Sequence, residues 1–324
     1  MKRGFLPLVL MTTLIVALGA YAEVHSSVFL SKSNLNSLLL QSMPLIIVSF
    51  GQAVALLVGG FDVSVAALMT MCVVVASFTL TPTTTGLAIV PGVLAVVGVG
   101  IGAGICNAFL IRVLQLPSIV ATLGTLSVFR GIDYFIAGSH QVPLAGLPEG
   151  FTDPARSDVF GVPVFVLVTV ILVAIGTVIL RSTRFGRQVY AVGSNPEAAA
   201  ILGIPSRRVV FTAFAACGAL AGLAGVMWVM EFGTINGTAA TGAVLAIVAA
   251  AVVGGVNIFG GSGTLAGAAL GALFLGFVAN ALPLIGLSQF YLQAIYGAVI
   301  LAAVAADALI LRRLQRSRTR RSGR

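Results

Sequence analysis

Polar side chains embedded in apolar runs are the first residues here that could do chemistry. Asp62 and Ser64, Asn107, Thr122 and Thr125, and Arg130 with Asp133 all interrupt long stretches of Ala, Val, Leu, Ile and Phe. A charge at the centre of a membrane span costs roughly 2.5 to 3.5 kcal/mol on insertion scales, so such residues are candidates for lining a solute pathway. What they offer is hydrogen bonding, not bond making. Arg130 and Asp133, three apart on one helical face, can pair with each other. Asp62, at the start of a run, can equally serve as a helix cap.

Covalent and metal chemistry find little support. Gly260-Gly261-Ser262-Gly263 resembles an intramembrane serine protease motif, but a nucleophile needs a base within hydrogen-bond reach. The two histidines, His25 and His140, fall on the opposite side of the membrane from Ser262 in the topology derived below. Cys72, Cys106 and Cys217 each sit inside an apolar run without C-x-x-C spacing and read as small buried residues. Two distant histidines and three scattered cysteines form no ligand cluster, so neither metal nor cofactor is expected, and no catalytic residue is assigned. The only lysines are Lys2 and Lys32, and G-x-x-x-x-G-K-[ST] does not occur. Any ATP hydrolysis must come from another polypeptide. Glycines recur at four-residue spacing (Gly98 and Gly102, Gly100 and Gly104, Gly218 and Gly222, Gly263 with Gly267 and Gly271), a pattern that close helix packing explains without a ligand.

The elements that must position these residues are set by composition. Of 324 residues, 59% are hydrophobic and 8% charged, against about 25% charged in a soluble domain. Mean hydropathy is +1.11. Ten continuous apolar runs can be placed, at about 5–22, 38–58, 63–80, 87–111, 117–137, 161–180, 209–230, 239–256, 264–283 and 290–311. Their continuity indicates helices, not barrel strands. The fold class is therefore all-α, a polytopic transmembrane bundle of about ten spans forming one domain over 1–324.

Placing the N-terminus in the cytoplasm puts fifteen of the eighteen Lys and Arg inside, seven of them in the tail at 312–324, and leaves Lys32, Arg130 and Arg156 outside. That split supports a multi-pass membrane protein with both termini cytoplasmic. The formal charge of +9 is thereby explained by position, with the tail beside anionic lipid, and no nucleic-acid partner is expected. The first run, with Lys2, Arg3 and Ala20-Tyr21-Ala22, also has features of a signal peptide, but it is longer than a usual signal core and is read as retained.

The inner stretch 181–208 carries the strongest local signal. Asn195 followed by Pro196 and Glu197 supplies a side-chain cap, a proline at the first helical position and an acid at the positive dipole end. Gly203 and Pro205 then stop the helix. The expected product is a two-turn helix, Pro196 to Leu202, with Ala198, Ala199, Ala200, Ile201 and Leu202 forming a small apolar surface suited to docking.

Four ordered segments now become informative: GGFDVSV (59–65), LPSIVATLGTLSVFRG (116–131), RFGRQVYAVGSNPEAAAILGI (184–204) and VVGGVNIFGGSGTLAG (252–267). Together they resemble the bacterial monosaccharide ABC-transporter permeases of the ribose-type class, across nearly the whole chain. The resemblance implies the ABC importer permease fold and a transport subunit with no enzymatic activity of its own. It implies three partners: a second permease subunit, identical or related; a cytoplasmic ATP-binding subunit; and a periplasmic or lipid-anchored sugar-binding protein. It also implies that Arg184, Gly186, Asn195, Pro196, Glu197, Ala198, Ala199 and Gly203 belong to the element coupling the permease to its ATPase. The expected cargo is a pentose, hexose or deoxysugar. Permeases for nucleosides or branched-chain amino acids share much of the architecture. A secondary transporter would show related halves around a charged midplane site, and only a faint echo between GGFDV and GGVNI is visible.

Overall fold

The computed structural model describes residues 5–84, 86–137, 146–233, 242–302 and 304–305. His140 and the basic tail fall outside the described residues. The apolar runs are helices: α1 (Phe5–His25), α2 (Lys32–Leu57), α3 (Val65–Thr79), α4 (Ile89–Arg112) and α5 (Ser118–Ala137). A short turn of helix, α6 (Asp153–Arg156), and a two-stranded ribbon, β1 (Asp158–Val159) antiparallel to β2 (Val162–Pro163), lead into α7 (Val164–Ser182). Then come α8 (Arg184–Ser194), α9 (Pro196–Ile201), α10 (Ser206–Phe232), α11 (Ala243–Val253) and α12 (Leu265–Leu284), and a last apolar helix, α13 (Tyr291–Ala302).

Each of the ten expected crossings contains a helix, but they are not equal. Among the described residues seven helices are long and apolar enough to cross a membrane: α1, α2, α4, α5, α7, α10 and α12. The other three, α3, α11 and α13, are shorter. For α3 and α11 the local cause is visible. Before α3, the long helix α2 stops at a Schellman end, with Gly59 N–H on Leu56 O (2.8 Å) and Gly60 N–H on Ala55 O (2.9 Å). After α11, Gly255 N–H reaches Val252 O (2.9 Å) and Val256 N–H reaches Ala251 O (3.0 Å), the same motif. Gly59 and Gly255 have φ of 80° and 86°, a conformation that a side chain disfavours. This shared ending is the physical content of the echo between GGFDV and GGVNI.

α2 and α10 form the centre. α10 packs on α4, α2 and α3, and α2 also packs on α12, α11 and α7. A Cβ on Gly100 or Gly104 of α4 would overlap the backbone of Gly218 or Phe214 in α10, and one on Gly218 would overlap Gly100. Gly98 and Gly102, two residues out of phase, meet nothing within 4 Å. Of the two interleaved glycine pairs in α4, therefore, one makes the helix crossing and the other faces outward. Along α12, Gly267 and Gly271 approach Gly254 and Ala250 closely enough to fuse α11 and α12 into one unit.

This packing predicts a sharp contrast. Gly218→Val should cost at least about 1–3 kcal/mol, the usual penalty for overpacking, and reduce both membrane abundance and melting temperature in detergent. Gly102→Val should change stability by no more than about 0.5 kcal/mol. Equal effects of the two substitutions would show that the α4–α10 crossing is not as described.

Candidate functional site

The loop 58–64 between α2 and α3 cannot bond to itself as a helix would, and neighbouring side chains supply its partners. Phe61 N–H donates to Ser118 Oγ at 3.2 Å and Val63 N–H to Thr122 Oγ1 at 3.1 Å. Thr122 Oγ1 also lies 3.0 Å from Phe61 O, as its donor. Asp62 turns inward, where its Oδ1 accepts from Ser64 N–H (2.8 Å) and Ser64 Oγ (2.6 Å). Asn107 Nδ2, on α4, donates to Ser64 Oγ (2.8 Å) and Asp62 Oδ2 (3.3 Å). Thr125 Oγ1, on α5, donates to Asn107 Oδ1 at 2.7 Å.

Five of the six residues singled out as pathway candidates thus converge into one network across two helices and a loop. Asp62, Ser64, Asn107, Thr122 and Thr125 are all buried. Their hydrogen bonds are used to hold the loop, and Asp62 is a local cap for Ser64 as well as a partner of α4. Arg130, the sixth, stands more than a turn further along α5, half-buried and outside the network. It makes no hydrogen bond with Asp133. Asp133 is 1% exposed, and neither of its carboxylate oxygens has a hydrogen-bond partner. Sharing a helical face at spacing three allowed the pair, but Asp133 turns into the bundle.

At the same end of the bundle as the loop lies a second element that the sequence reading did not separate, α8. Thr183 Oγ1 caps it by accepting from Gly186 N–H (3.3 Å), and Gly186, Val189 and Val192 form its buried side. The alternation of these small and apolar residues with Arg184, Arg187 and Gln188 was the available signal. α9 follows as expected. Asn195 Oδ1 accepts from Ala198 N–H at 3.0 Å, Pro196 occupies the first turn with Glu197, and Gly203 ends the helix by donating to Ala200 O at 3.0 Å. Its outward surface differs in detail from the expectation: Ala199 faces the bundle at 2% exposure, while Ile201 and Leu202 are 87% and 78% exposed.

α8 is stitched to both irregular loops. A Cβ on Gly193 would overlap the Leu57 carbonyl, and one on Gly260 would lie 2.8 Å from the Gly59 Cα. Gly261 N–H donates to Leu57 O at 3.0 Å, Ser194 Oγ to Gly261 O at 3.3 Å, and Tyr190 Oη to Gly263 O at 3.0 Å. Burial raises the Tyr190 hydroxyl above its usual pKa, with Arg181 pulling weakly the other way, so the phenol keeps the proton it donates. Three backbones, 57–60, 193–194 and 260–263, therefore meet at the end of α8, just before α9 begins.

The opposite end carries a polar recess of about 690 Å³, whose lining includes Lys32, Ser33, Asn36, Arg156, Asp158 and Glu231. Two of the three cations that broke the sequence's charge split are found here, faced by two acids. Nothing in the spacing of 32, 156 and 231 announced their proximity.

Comparison with known proteins agrees with this architecture. Residues 34–304 match the family described as "Branched-chain amino acid transport system / permease component". The chain is 34% identical to the probable ABC transporter permease protein y4mJ of Sinorhizobium fredii, over 82% of this chain and 78% of that one. It is 33% identical to the autoinducer 2 import system permease protein LsrC of Salmonella paratyphi B, over 94% and 86% of the two chains. LsrC of Escherichia coli O9:H4 is 33% identical over 89% and 83%. No solved structure matches. An all-helical bundle of apolar spans, with a family match over most of its length, makes this chain a member of the ABC-transporter permease family, a membrane-spanning transport component.

Proposed function

We propose that this permease carries a monosaccharide into a bacterial cell, driven by a separate cytoplasmic ATP-binding subunit and fed by a periplasmic or lipid-anchored binding protein, beside a second permease subunit. The similarity to permeases named for import of autoinducer 2, a sugar-like solute, supports the cargo class. In this reading Asp62, Ser64, Asn107, Thr122 and Thr125 fix the inner loop that bounds the pathway.

Orientation follows from charge. Arg112, Arg181, Arg184, Arg187, Arg207 and Arg208 stand at the end that carries α8 and α9, so that end is cytoplasmic and the recess of Lys32 and Arg156 is external, with both termini inside. On a cysteine-free background, a cysteine replacing Asp158 should react with a membrane-impermeant maleimide in intact cells. One replacing Glu197 should react only after permeabilisation. The reverse pattern would invert the topology.

The observation that carries the coupling assignment is the exposure of Ile201 and Leu202 on a helix capped by Asn195 and following directly on α8, whose end packs on both loops. Two large apolar side chains standing in water at the end of a bundle mark a docking surface. The double variant Ile201→Glu, Leu202→Glu should reach the membrane at normal abundance, because neither side chain is buried, but lose co-purification with the ATPase and lose uptake. Asn195→Ala should weaken the helix by about 0.5–2 kcal/mol and reduce uptake partially. Unchanged co-purification and uptake in the double variant would show that α9 is not the coupling helix.

A further inference from the structure

Two threonines of α7 depart from the way hydroxyls are satisfied elsewhere in this bundle. Thr12, Thr13, Thr183 and Thr212 each donate to the carbonyl four residues back, the common local solution in a helix. Thr169 Oγ1 and Thr177 Oγ1 are buried and have no hydrogen-bond partner. Both line a groove of about 670 Å³ between α7 and α12, with Met43 and Ile46 of α2 in its floor and Leu8 of α1 on its rim. Among the described lining residues these two hydroxyls are the only polar side chains, and Val173, Ala269 and Leu273 are typical of the rest.

The shape of the groove limits what can fill it. It runs along α7 from Val166 to Val178, about 18 Å at 1.5 Å per residue. One leaflet accounts for about half of a 30 Å hydrocarbon core, so this is the reach of a single acyl chain. A packed helix 10–12 Å across would need at least about 1,400 Å³ over the same length, twice the space available. At the inner end the stripe that lines the groove continues to a cation. Arg181 lies four residues past Thr177, within about 40° of it round α7, and is exposed. Along this face, therefore, come a guanidinium at the mouth, a free hydroxyl donor one turn deeper, and an apolar channel beyond.

We propose that the groove holds one acyl chain of an anionic phospholipid of the inner leaflet, with the phosphate on Arg181 and an ester carbonyl accepting from Thr177 Oγ1. The assignment rests on the orientation argued above, which puts Arg181 at the cytoplasmic face, and not on the cargo. A lone cation at the interface attracts any anionic headgroup. A donor beneath it and an apolar channel beneath that match the order of phosphate, ester and chain in a glycerophospholipid, and the Thr177 hydroxyl gains the partner it lacks. The outer end offers no such order: on α7 the stripe runs out into Val162 and Pro163, and Lys32 and Arg156 face the acids of the polar recess.

Both walls of the groove lead to α8. α7 passes into α8 through Thr183 alone, and a Cβ on Gly186 would overlap the Leu180 carbonyl, so the corner between them is tight. The turn before α12 is held by Tyr190 of α8 through Gly263 O. A chain lodged between α7 and α12 sets the spacing of the two helices that hold α8, and the lipid composition of the membrane is thereby felt at the end that carries α9.

Photolabelling of the full chain in phosphatidylcholine nanodiscs tests this. The probe is phosphatidylglycerol with a diazirine on its acyl chain, compared with phosphatidylcholine carrying the same diazirine. Label from phosphatidylglycerol should concentrate on 166–178 and 266–273. Arg181→Gln should lower that labelling about tenfold, the loss expected for a charge-assisted hydrogen bond, and Thr177→Val about threefold, with phosphatidylcholine labelling unchanged. Thr169→Val, near the outer end, should alter neither. Ala174→Phe combined with Ala269→Phe fills the groove and should abolish the preference for these two segments. Label spread evenly over the outward helices, alike for both lipids and indifferent to Arg181→Gln and Thr177→Val, means bulk lipid contact only and overturns the site. A disulfide formed between copies through a cysteine at position 174, in discs holding two copies, puts a second permease in the groove and overturns it equally. Nanodiscs expose both faces, so an inverted topology would leave the labelling intact and change only the leaflet, which the maleimide experiment decides separately.

Discussion

Non-helical backbone at membrane depth must find hydrogen-bond partners, and much of this structure follows from how it does so. Two short helices, α3 and α11, oblige the chain to turn within the apolar layer, at 58–64 and 254–264. Each turn begins with a glycine Schellman end that satisfies the last helical carbonyls. Beyond that point the two loops differ. The first borrows Ser118 and Thr122 from α5 and organises Asp62, Ser64 and Asn107 around itself. The second closes partly on itself, with Asn257 N–H on Ser262 O and Phe259 N–H on Asn257 Oδ1, and partly on α8. The same requirement for paired backbone groups thus brings the two loops to one place and makes them the support of α8.

That convergence has a mechanical side. A helix at one end of a bundle can act on the rest of it only if the contact between them is stiff. Glycine-to-backbone packing at Gly193, Gly260 and Gly261 is about as stiff as protein contacts become, since no flexible side chain stands between the chains. The polar network around Asp62 anchors the other side of the joint to α4 and α5.

Much of this was legible in the sequence, for reasons that differ by element. The apolar runs announced the helices because hydrocarbon sets a minimum length of apolar chain, and α9 was legible because capping chemistry is local to Asn195, Pro196 and Gly203. The polar pathway candidates were visible because polar residues are rare in such runs, but their role was not. Whether Thr122 lines a channel or holds a loop depends on what stands opposite it. Spacing alone could not choose between Gly98/Gly102 and Gly100/Gly104, nor turn Arg130 and Asp133 toward each other, because it fixes a helical face but not the neighbour that face meets. The polar recess, gathered from positions 32, 156 and 231, has no local signature at all.

The α4–α10 crossing also constrains how the protein can be made. Gly100 and Gly218 touch backbone to backbone, yet more than a hundred residues of chain separate them. During synthesis α4 enters the membrane long before α10 exists, so its glycine face must wait against lipid while α5, α7 and the α8–α9 pair are produced. Contacts this distant in sequence close slowly and late. α4 and α10 are therefore joined only after half the chain has been made, and until then the early half of the protein is an open assembly of helices that lacks this interface.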